Sequence, residues 1–182
     1  AEPVTRWSAR VNHGDRMAEY FNMAYRHALG PKPGPTYLDL PGDALNDRID
    51  DNDAWFPPGG QRPSRPAADP SAVAEAIKLL KAAKRPVVIS GSGIFWSDAS
   101  RELREFVEAA RIPFFTTPQG RGVIPEDHEL SFTAARGQAF READVAVVVG
   151  TRMNFIISFM APPRFADDLK VITDWHAELL GS

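Results

Sequence analysis

Short runs of consecutive apolar residues alternate with helical patterns along the chain from Asp69 onward. An all-apolar strand is typical of a parallel sheet, because helices cover both faces of such a sheet. Strands that alternate with helices also require crossover connections between parallel neighbours. The sequence therefore predicts an α/β fold, a parallel sheet flanked by helices, with strands at residues 87–89, 112–116, 145–149 and 169–173.

The carboxyl ends of these strands define the place where a ligand is expected. In open parallel sheets, ligands bind at the edge where the strands end, in the loops that follow them. The predicted strand ends lie at residues 90–93, 116–119, 150–154 and 174–176, and the first three lead into glycine-rich or long loops. We expect these loops to form one common edge able to hold a nucleotide.

The turn after the first strand contains Gly91, Ser92 and Gly93. Glycines allow a backbone to approach a phosphate closely, and the N–H groups at the start of a helix attract anions. The full dinucleotide motif G-x-G-x-x-G is absent, because Trp96 stands where the third glycine would be. A tight turn without any ligand explains the same residues equally well. Ser97 and Asp98 then offer an N-cap for the following helix.

Three further residues near the predicted edge are candidate ligand contacts. Arg152 follows the third strand and can pair with a phosphate through two parallel hydrogen bonds, although a salt bridge to Asp144 or Asp174 is the alternative. Arg136, near the start of a short helix, can meet a second phosphate or be an ordinary surface arginine. Asp174 ends the fourth strand, where an acid often binds ribose hydroxyls, and it can also cap the next helix.

The first part of the chain has a different pattern. We predict a helix from an N-cap at Asp15 to about Leu29, followed by a strand at residues 36–40. Its apolar residues Met17, Phe21 and Tyr25 are expected to pack against a second copy of the chain or to lie loosely ordered. This organisation divides the chain into a helix-strand segment at residues 1–45, a linker at residues 46–69 and the α/β domain at residues 70–182.

Composition excludes several classes of function. The formal net charge of −3 gives no basis for nucleic-acid binding, and no apolar run approaches the length of a membrane span. Cysteine is absent, which fits a cytoplasmic protein and removes thiol chemistry. The four histidines have no metal-ligand spacing, and no motif indicates a catalytic nucleophile, acid or base. We therefore expect no metal site and no catalytic residue in this segment.

A series of short motifs resembles the thiamine-diphosphate-dependent enzymes of the acetolactate synthase type, in the order in which that family has them. The resemblance is greatest to the branch that contains 2-hydroxyacyl-CoA lyase and oxalyl-CoA decarboxylase. It is carried by residues 32–43, 84–93, 112–118, 120–125, 134–136, 143–145, 150–154 and 162–165.

The resemblance implies a Rossmann-like central domain of a larger, homo-oligomeric enzyme that acts on 2-keto or 2-hydroxyacyl substrates. It also implies that residues 1–45 are the C-terminal tail of the preceding, pyrimidine-binding domain. The parent would use thiamine diphosphate and Mg²⁺, both held by domains outside this segment, which alone is expected to be inactive. The central domain itself would bind ADP, FAD or CoA, with Gly91, Ser92, Gly93, Arg152 and Asp174 lining the site and Arg136 reaching a phosphate. The alternative is a non-catalytic structural domain with an empty nucleotide edge.

Overall fold

The structure, a computed structural model, describes residues 1–30, 33–53, 55–57 and 67–173. The chain divides into two compact units, Ala1–Pro66 and Ala67–Ser182. The predicted boundaries at residues 45 and 69, and the assignment of the first part to a preceding domain, stay predictions.

The first unit is a small β-α-β arrangement. Its elements are β1 (Trp7–Arg10), α1 (Met17–Ala28), β2 (Thr36–Asp39) and α2 (Gly42–Leu45), with 3-10 turns at Glu2–Val4 and Gly14–Arg16. Strands β1 and β2 pair in parallel, with Trp7 opposite Thr36. The indole of Trp7 stacks on the ring of His27, with centroids 5.3 Å apart, and so holds α1 against the strand pair. The predicted helix and strand are present, whereas β1 is an addition to them.

The predicted N-cap at Asp15 is wrong. Asp15 lies inside the 3-10 turn Gly14–Arg16, and α1 begins only after Arg16. The guanidinium of Arg16 instead donates two hydrogen bonds of 2.8 Å to Glu19 in the first helical turn. Phe21 and Tyr25 are about half exposed within this chain. Their burial by a second copy stays a prediction.

The second unit carries the predicted α/β fold. Its helices are α3 (Pro70–Ala82), α4 (Ser92–Trp96), α5 (Ser100–Ala110) and α6 (Arg136–Glu142), with 3-10 turns at Pro118–Gly120, Thr133–Ala135 and Phe155–Met160. Its strands are β3 (Pro86–Ser90), β4 (Phe114–Thr116), β5 (Val145–Val149) and β6 (Lys170–Thr173). All pairings are parallel, in the order β4-β3-β5-β6. The prediction of a parallel sheet flanked by helices is confirmed.

Both faces of this sheet are buried, as an all-apolar strand requires. On one face Val87 and Ile89 of β3 pack with Phe140 of α6. On the other, Val88 packs with Leu103 and other residues of α5. Alternate residues of one strand therefore enter two separate cores, which explains why the strand sequences show no polar alternation.

The predicted N-cap at Ser97 and Asp98 is also wrong. A short helix, α4, begins directly at Ser92 in the glycine turn, and α5 starts only at Ser100. Asp98 has a φ of 51° and lies in the turn that separates the two helices. An N-cap residue normally has an extended backbone, so Asp98 is conformationally unsuited to that role.

Candidate functional site

The carboxyl ends of three strands meet at one edge of the sheet. Ser90, the last residue of β3, lies opposite Thr116 of β4 and Val149 of β5. Thr173 of β6 lies opposite Val148, one residue earlier on β5. The predicted common edge is therefore present for the described residues. Asp174, the candidate ribose ligand, lies outside them.

The glycine turn is fixed by hydrogen bonds to β5 and the loop after it. The N–H of Gly91 donates to the carbonyl oxygen of Val149 at 3.0 Å, and that of Gly93 donates to Gly150 at 2.8 Å. In a dinucleotide site these two N–H groups would face the phosphate. Here both are already hydrogen-bonded to backbone carbonyl oxygens of the protein. Ser92, which is partly exposed, is the residue of this turn through which a ligand can be contacted.

The two glycines are also required by close packing. A Cβ atom on Gly91 would lie 2.4 Å from the Cβ of Thr151, and one on Gly93 would lie 2.6 Å from the Cα of Gly150. Real Cβ atoms do not approach other heavy atoms so closely, so a side chain at either position would push the two loops apart. Close packing therefore explains why both positions are glycine, whether or not a ligand binds there.

The loop after β4 closes against the same turn. The N–H of Thr117 donates to the carbonyl oxygen of Ser90 at 2.9 Å. A Cβ atom on Gly120 would lie 2.6 Å from that same oxygen. The hydroxyl of Ser90 is fully buried and has no hydrogen-bond partner among the described residues. Three loops thus pack tightly at the edge, and the space for a ligand lies on their outer surface.

Arg152 lies on that outer surface. It is exposed and directly follows β5 and Gly150. The alternative of a salt bridge to Asp144 is wrong, because Asp144 precedes β5 and accepts hydrogen bonds from the N–H groups of Lys84 and Arg85 at the amino end of the sheet. A strand of five residues places the two ends roughly 16 Å apart. The other alternative, a salt bridge to Asp174, lies outside the described residues, and Arg152 stays a candidate phosphate contact.

Arg136 is not an ordinary surface residue. It is the first residue of α6 and is partly buried, with its guanidinium carbon 5.1 Å from the centroid of the Phe140 ring. Its Nε is fully buried and has no hydrogen-bond partner among the described residues. Desolvation by burial, aided by the nearby charge of Arg164, lowers the pKa of Arg136 below its ordinary value. In a parallel sheet the connecting helix runs antiparallel to the strands, so Arg136 lies towards the carboxyl edge.

Arg164, which was not among the predicted site residues, has its guanidinium carbon 6.0 Å from the centroid of the same Phe140 ring. Arg164 follows Pro162 and Pro163 in a segment without a helical or strand pattern, so its position beside α6 is a result of tertiary packing alone.

Two aromatic residues at the edge, Trp96 and Phe155, are 60% and 76% exposed. They are therefore available to a ligand or another protein surface.

Within residues 1–30, 33–53, 55–57 and 67–173, no group of three or more His, Asp or Glu residues is placed to hold a metal ion.

Across those same ranges, no helix combines the length and the apolar character needed to cross a membrane.

Comparison with known proteins identifies the lineage of the second unit. Residues 73–174 match the family model described as the central domain of thiamine pyrophosphate enzymes. The chain is 35% identical to human 2-hydroxyacyl-CoA lyase 1 over 179 residues, which cover 98% of this chain and 31% of that protein. It is also 35% identical to oxalyl-CoA decarboxylase of Escherichia coli K12 over 160 residues, covering 87% of this chain and 28% of the relative.

A solved structure shows the same fold. An X-ray structure from Mycobacterium smegmatis, described as a thiamin diphosphate-dependent enzyme, matches with a TM-score of 0.65 and 23% identity, covering 94% of this chain and 34% of that chain. The present chain thus spans about a third of the length of the proteins it matches.

Proposed function

Since this chain belongs to the family of thiamine pyrophosphate enzymes, as their central domain, we propose that its role is to bind a nucleotide rather than to perform the C–C chemistry. The parent enzyme would be a lyase, decarboxylase or carboligase acting on 2-keto or 2-hydroxyacyl substrates. Relatives named as lyases, decarboxylases and synthases support this range of reactions. The nucleotide would carry an ADP-type moiety, as ADP, FAD or CoA does.

The observation that carries this proposal is the common edge formed by β3, β4 and β5, with Arg152 exposed on its outer surface. Nucleotides bind at this edge in doubly wound sheets. The residues proposed to hold the nucleotide are Ser92, Arg152 and Asp174, with Arg136 contacting a phosphate and Gly91 and Gly93 shaping the turn. A planar guanidinium suits a phosphate because it can donate two parallel hydrogen bonds.

Thiamine diphosphate, with Mg²⁺, would be held by other domains of the parent. When bound, that cofactor supplies an electron sink for breaking or forming a C–C bond next to a carbonyl. We assign no described residue of this chain to either group and no catalytic residue to this segment, which alone is expected to be inactive. We further propose that the parent is a cytoplasmic homo-oligomer.

A second candidate function is a purely structural domain that joins the other domains of the parent. The hydrogen bonds of Gly91 and Gly93 to the β5 side of the sheet favour it, because these amides are then unavailable to a phosphate. The close packing around both glycines explains their presence without any nucleotide.

Isothermal titration calorimetry with ADP, FAD and CoA at low ionic strength separates the two candidates. We expect wild-type protein to bind at least one of the three, and Arg152→Gln to weaken that binding at least tenfold. Arg104→Gln is the matched control, since Arg104 is an exposed arginine of α5 whose guanidinium pairs with Glu108 at 2.8 Å. Absence of binding by all three ligands would favour the structural domain.

A further inference from the structure

A pocket of about 430 Å³ lies between α6 and the segment that precedes β6. It is lined by Gly137 and Arg141 of α6 and, from the facing segment, by Ser158, Pro163 and Arg164. Its volume lies within the range of pockets that hold small organic ligands. The pocket thus combines two arginines, one hydroxyl and an apolar wall formed by the prolines.

Arg136 adds a third positive charge next to this pocket. Its guanidinium and that of Arg164 lie 5.1 and 6.0 Å from the centroid of the buried Phe140 ring. Phe165 stacks on one face of that ring, with centroids 4.7 Å apart, and Phe115 packs against it in a T-shaped arrangement, with centroids 5.0 Å apart. Contact with the same buried aromatic ring therefore holds the two guanidinium groups near each other.

No acid neutralises these charges in the part of the chain that the structure describes. The guanidinium groups of Arg136, Arg141 and Arg164 form no ion pair or hydrogen bond there. The arginines of α5, in contrast, pair with glutamates, as Arg101 and Arg104 do. Desolvation and the charge of Arg164 both lower the pKa of Arg136. Like charges held together without a counterion are unfavourable, and a bound anion would remove that penalty.

The backbone beside the pocket is strained. Ser158, Phe159 and Met160 have φ values of 52°, 51° and 54°, a left-handed conformation that non-glycine residues rarely adopt. Such residues cost of order 1–3 kcal/mol each and are concentrated at binding sites and switch regions. Here the strained run positions the Ser158 side chain at the pocket wall, where a hydroxyl can donate to an anion.

We propose that Arg136, Arg141 and Arg164, with Ser158, bind a phosphate dianion in this pocket. A tetrahedral dianion matches the charge of the cluster and accepts hydrogen bonds from several guanidinium groups at once. The phosphate is either free or carried by an organic molecule, whose apolar part would lie against Pro162 and Pro163. Arg136 is shared with the proposed nucleotide site, and to that extent this inference rests on the proposed function. Arg141 and Arg164 line this pocket only.

Titration calorimetry with inorganic phosphate and pyrophosphate tests the proposal. We expect wild-type protein to bind at least one of them, and Arg164→Gln and Arg141→Gln each to weaken binding at least fivefold. Arg101→Gln, which removes an exposed arginine paired with Glu102, is expected to change it less than twofold. Absence of binding by wild-type protein, or equal weakening by all three variants, overturns the site in favour of non-specific attraction.

Labelling of unaltered protein gives a readout that does not depend on the folding of a variant. Phenylglyoxal modifies exposed arginines, and we expect saturating pyrophosphate to protect Arg141 and Arg164, but not Arg101, as measured by mass spectrometry of peptides. Equal labelling with and without pyrophosphate contradicts the proposal.

Titration of the same variants with ADP identifies the source of the phosphate and distinguishes the arginine pocket from the proposed nucleotide edge. If Arg164→Gln weakens ADP binding as much as pyrophosphate binding, the pocket holds a nucleotide phosphate. If only the inorganic anions are affected, the pocket holds a free anion. Failure of pyrophosphate to bind while Arg152→Gln still weakens ADP binding would reject this pocket and leave the proposed nucleotide edge intact.

Discussion

The backbone N–H of Gly93 donates a hydrogen bond of 2.8 Å to the carbonyl oxygen of Gly150, which joins the turn after β3 to the turn after β5. A Cβ atom on Gly93 would lie 2.6 Å from the Cα of Gly150, and one on Gly150 would lie 2.6 Å from the N of Ile94. Gly150 also has a φ of 63°. We predict that Gly93→Ala lowers the free energy of unfolding by about 1–3 kcal/mol, the range for overpacking, and that Gly150→Ala lowers it further through backbone strain.

Urea unfolding followed by circular dichroism measures both effects. Gly137→Ala is the control, because a Cβ there meets only Arg141 Nη1 at 3.7 Å and lies inside α6. Alanine in a helix is favoured over glycine by roughly 0.5–1 kcal/mol, so this variant should be neutral or more stable. A Gly93→Ala protein as stable as wild type would show that the two turns separate without loss.

The hydroxyl of Ser90 is buried at the end of β3 without a hydrogen-bond partner among the described residues. An unpaired buried hydroxyl costs about 1–3 kcal/mol, while its replacement by hydrogen forfeits only a few contacts. We predict that Ser90→Ala raises the free energy of unfolding by about 1 kcal/mol, measured as a higher urea midpoint. Ser97→Ala, at an exposed position, should change stability by less than about 0.5 kcal/mol. Destabilisation by Ser90→Ala would reveal a partner for the hydroxyl.

The four-stranded sheet was predictable because a strand that is buried on both faces consists almost entirely of apolar residues. The run Val145–Val149 contains no polar residue, since Ala146 and Val148 enter one core and Val147 the other. Strand β1 has no such apolar run. It is four residues long, belongs to a two-stranded sheet and is only partly buried, so the run from Trp7 to Arg10 carries no strong pattern.

The helix starts were harder to predict because they depend on backbone geometry. Asp98 is a residue type that commonly caps helices, but its left-handed backbone ends α4 instead. The N–H of Ala99 donates to the carbonyl of Ile94 at 3.0 Å, which closes that turn and delays the start of α5. Nothing in the local sequence from residue 94 to residue 99 fixes this alternative.

The candidate site was predictable as an edge but not as a set of contacts. Alternation of strands and helices placed Ser92 and Arg152 at the same end of the sheet, which the register of β3 and β5 bears out. The position of Arg164 next to Arg136 follows from the stacking of Phe165 on Phe140, residues 25 positions apart, which no local pattern reports.

Asp69 is the N-cap of α3, as predicted. Its carboxylate accepts hydrogen bonds from the N–H of Ser71 at 2.7 Å and of Ala72 at 3.4 Å, and from the Ser71 hydroxyl at 2.6 Å. We predict that Asp69→Ala destabilises the second unit by about 1 kcal/mol, the typical loss for an N-cap. Asp168→Ala, an exposed aspartate, is the control in the same chemical unfolding measurement. Equal behaviour of the two variants would show that α3 forms without its cap.

Asp144 joins the amino ends of three strands. Its carboxylate accepts from the N–H groups of Lys84 at 2.7 Å and Arg85 at 2.9 Å, and its carbonyl oxygen accepts from Lys170 N–H at 3.1 Å. Desolvation by burial acts to raise the pKa of Asp144, but the N–H groups of Lys84, Arg85 and Asp144 itself, with the charge of Arg85, together hold that pKa below the ordinary value. We predict that Asp144→Asn lowers the free energy of unfolding by about 1–3 kcal/mol at pH 7, because one of the two amides loses its charged acceptor.

The pH dependence of this loss follows from the direction of the shift. A carboxylate whose pKa is depressed in the folded state contributes its stability above the unfolded-state pKa, about 3.9, and loses that contribution as pH falls through the folded-state pKa. The difference between wild type and Asp144→Asn should therefore be constant from pH 7 to about pH 5 and shrink below about pH 4. Urea unfolding at a series of pH values measures it, with Asp168→Asn as the control. A difference that stays constant down to pH 2.5 would mean that folding does not lower the pKa of Asp144.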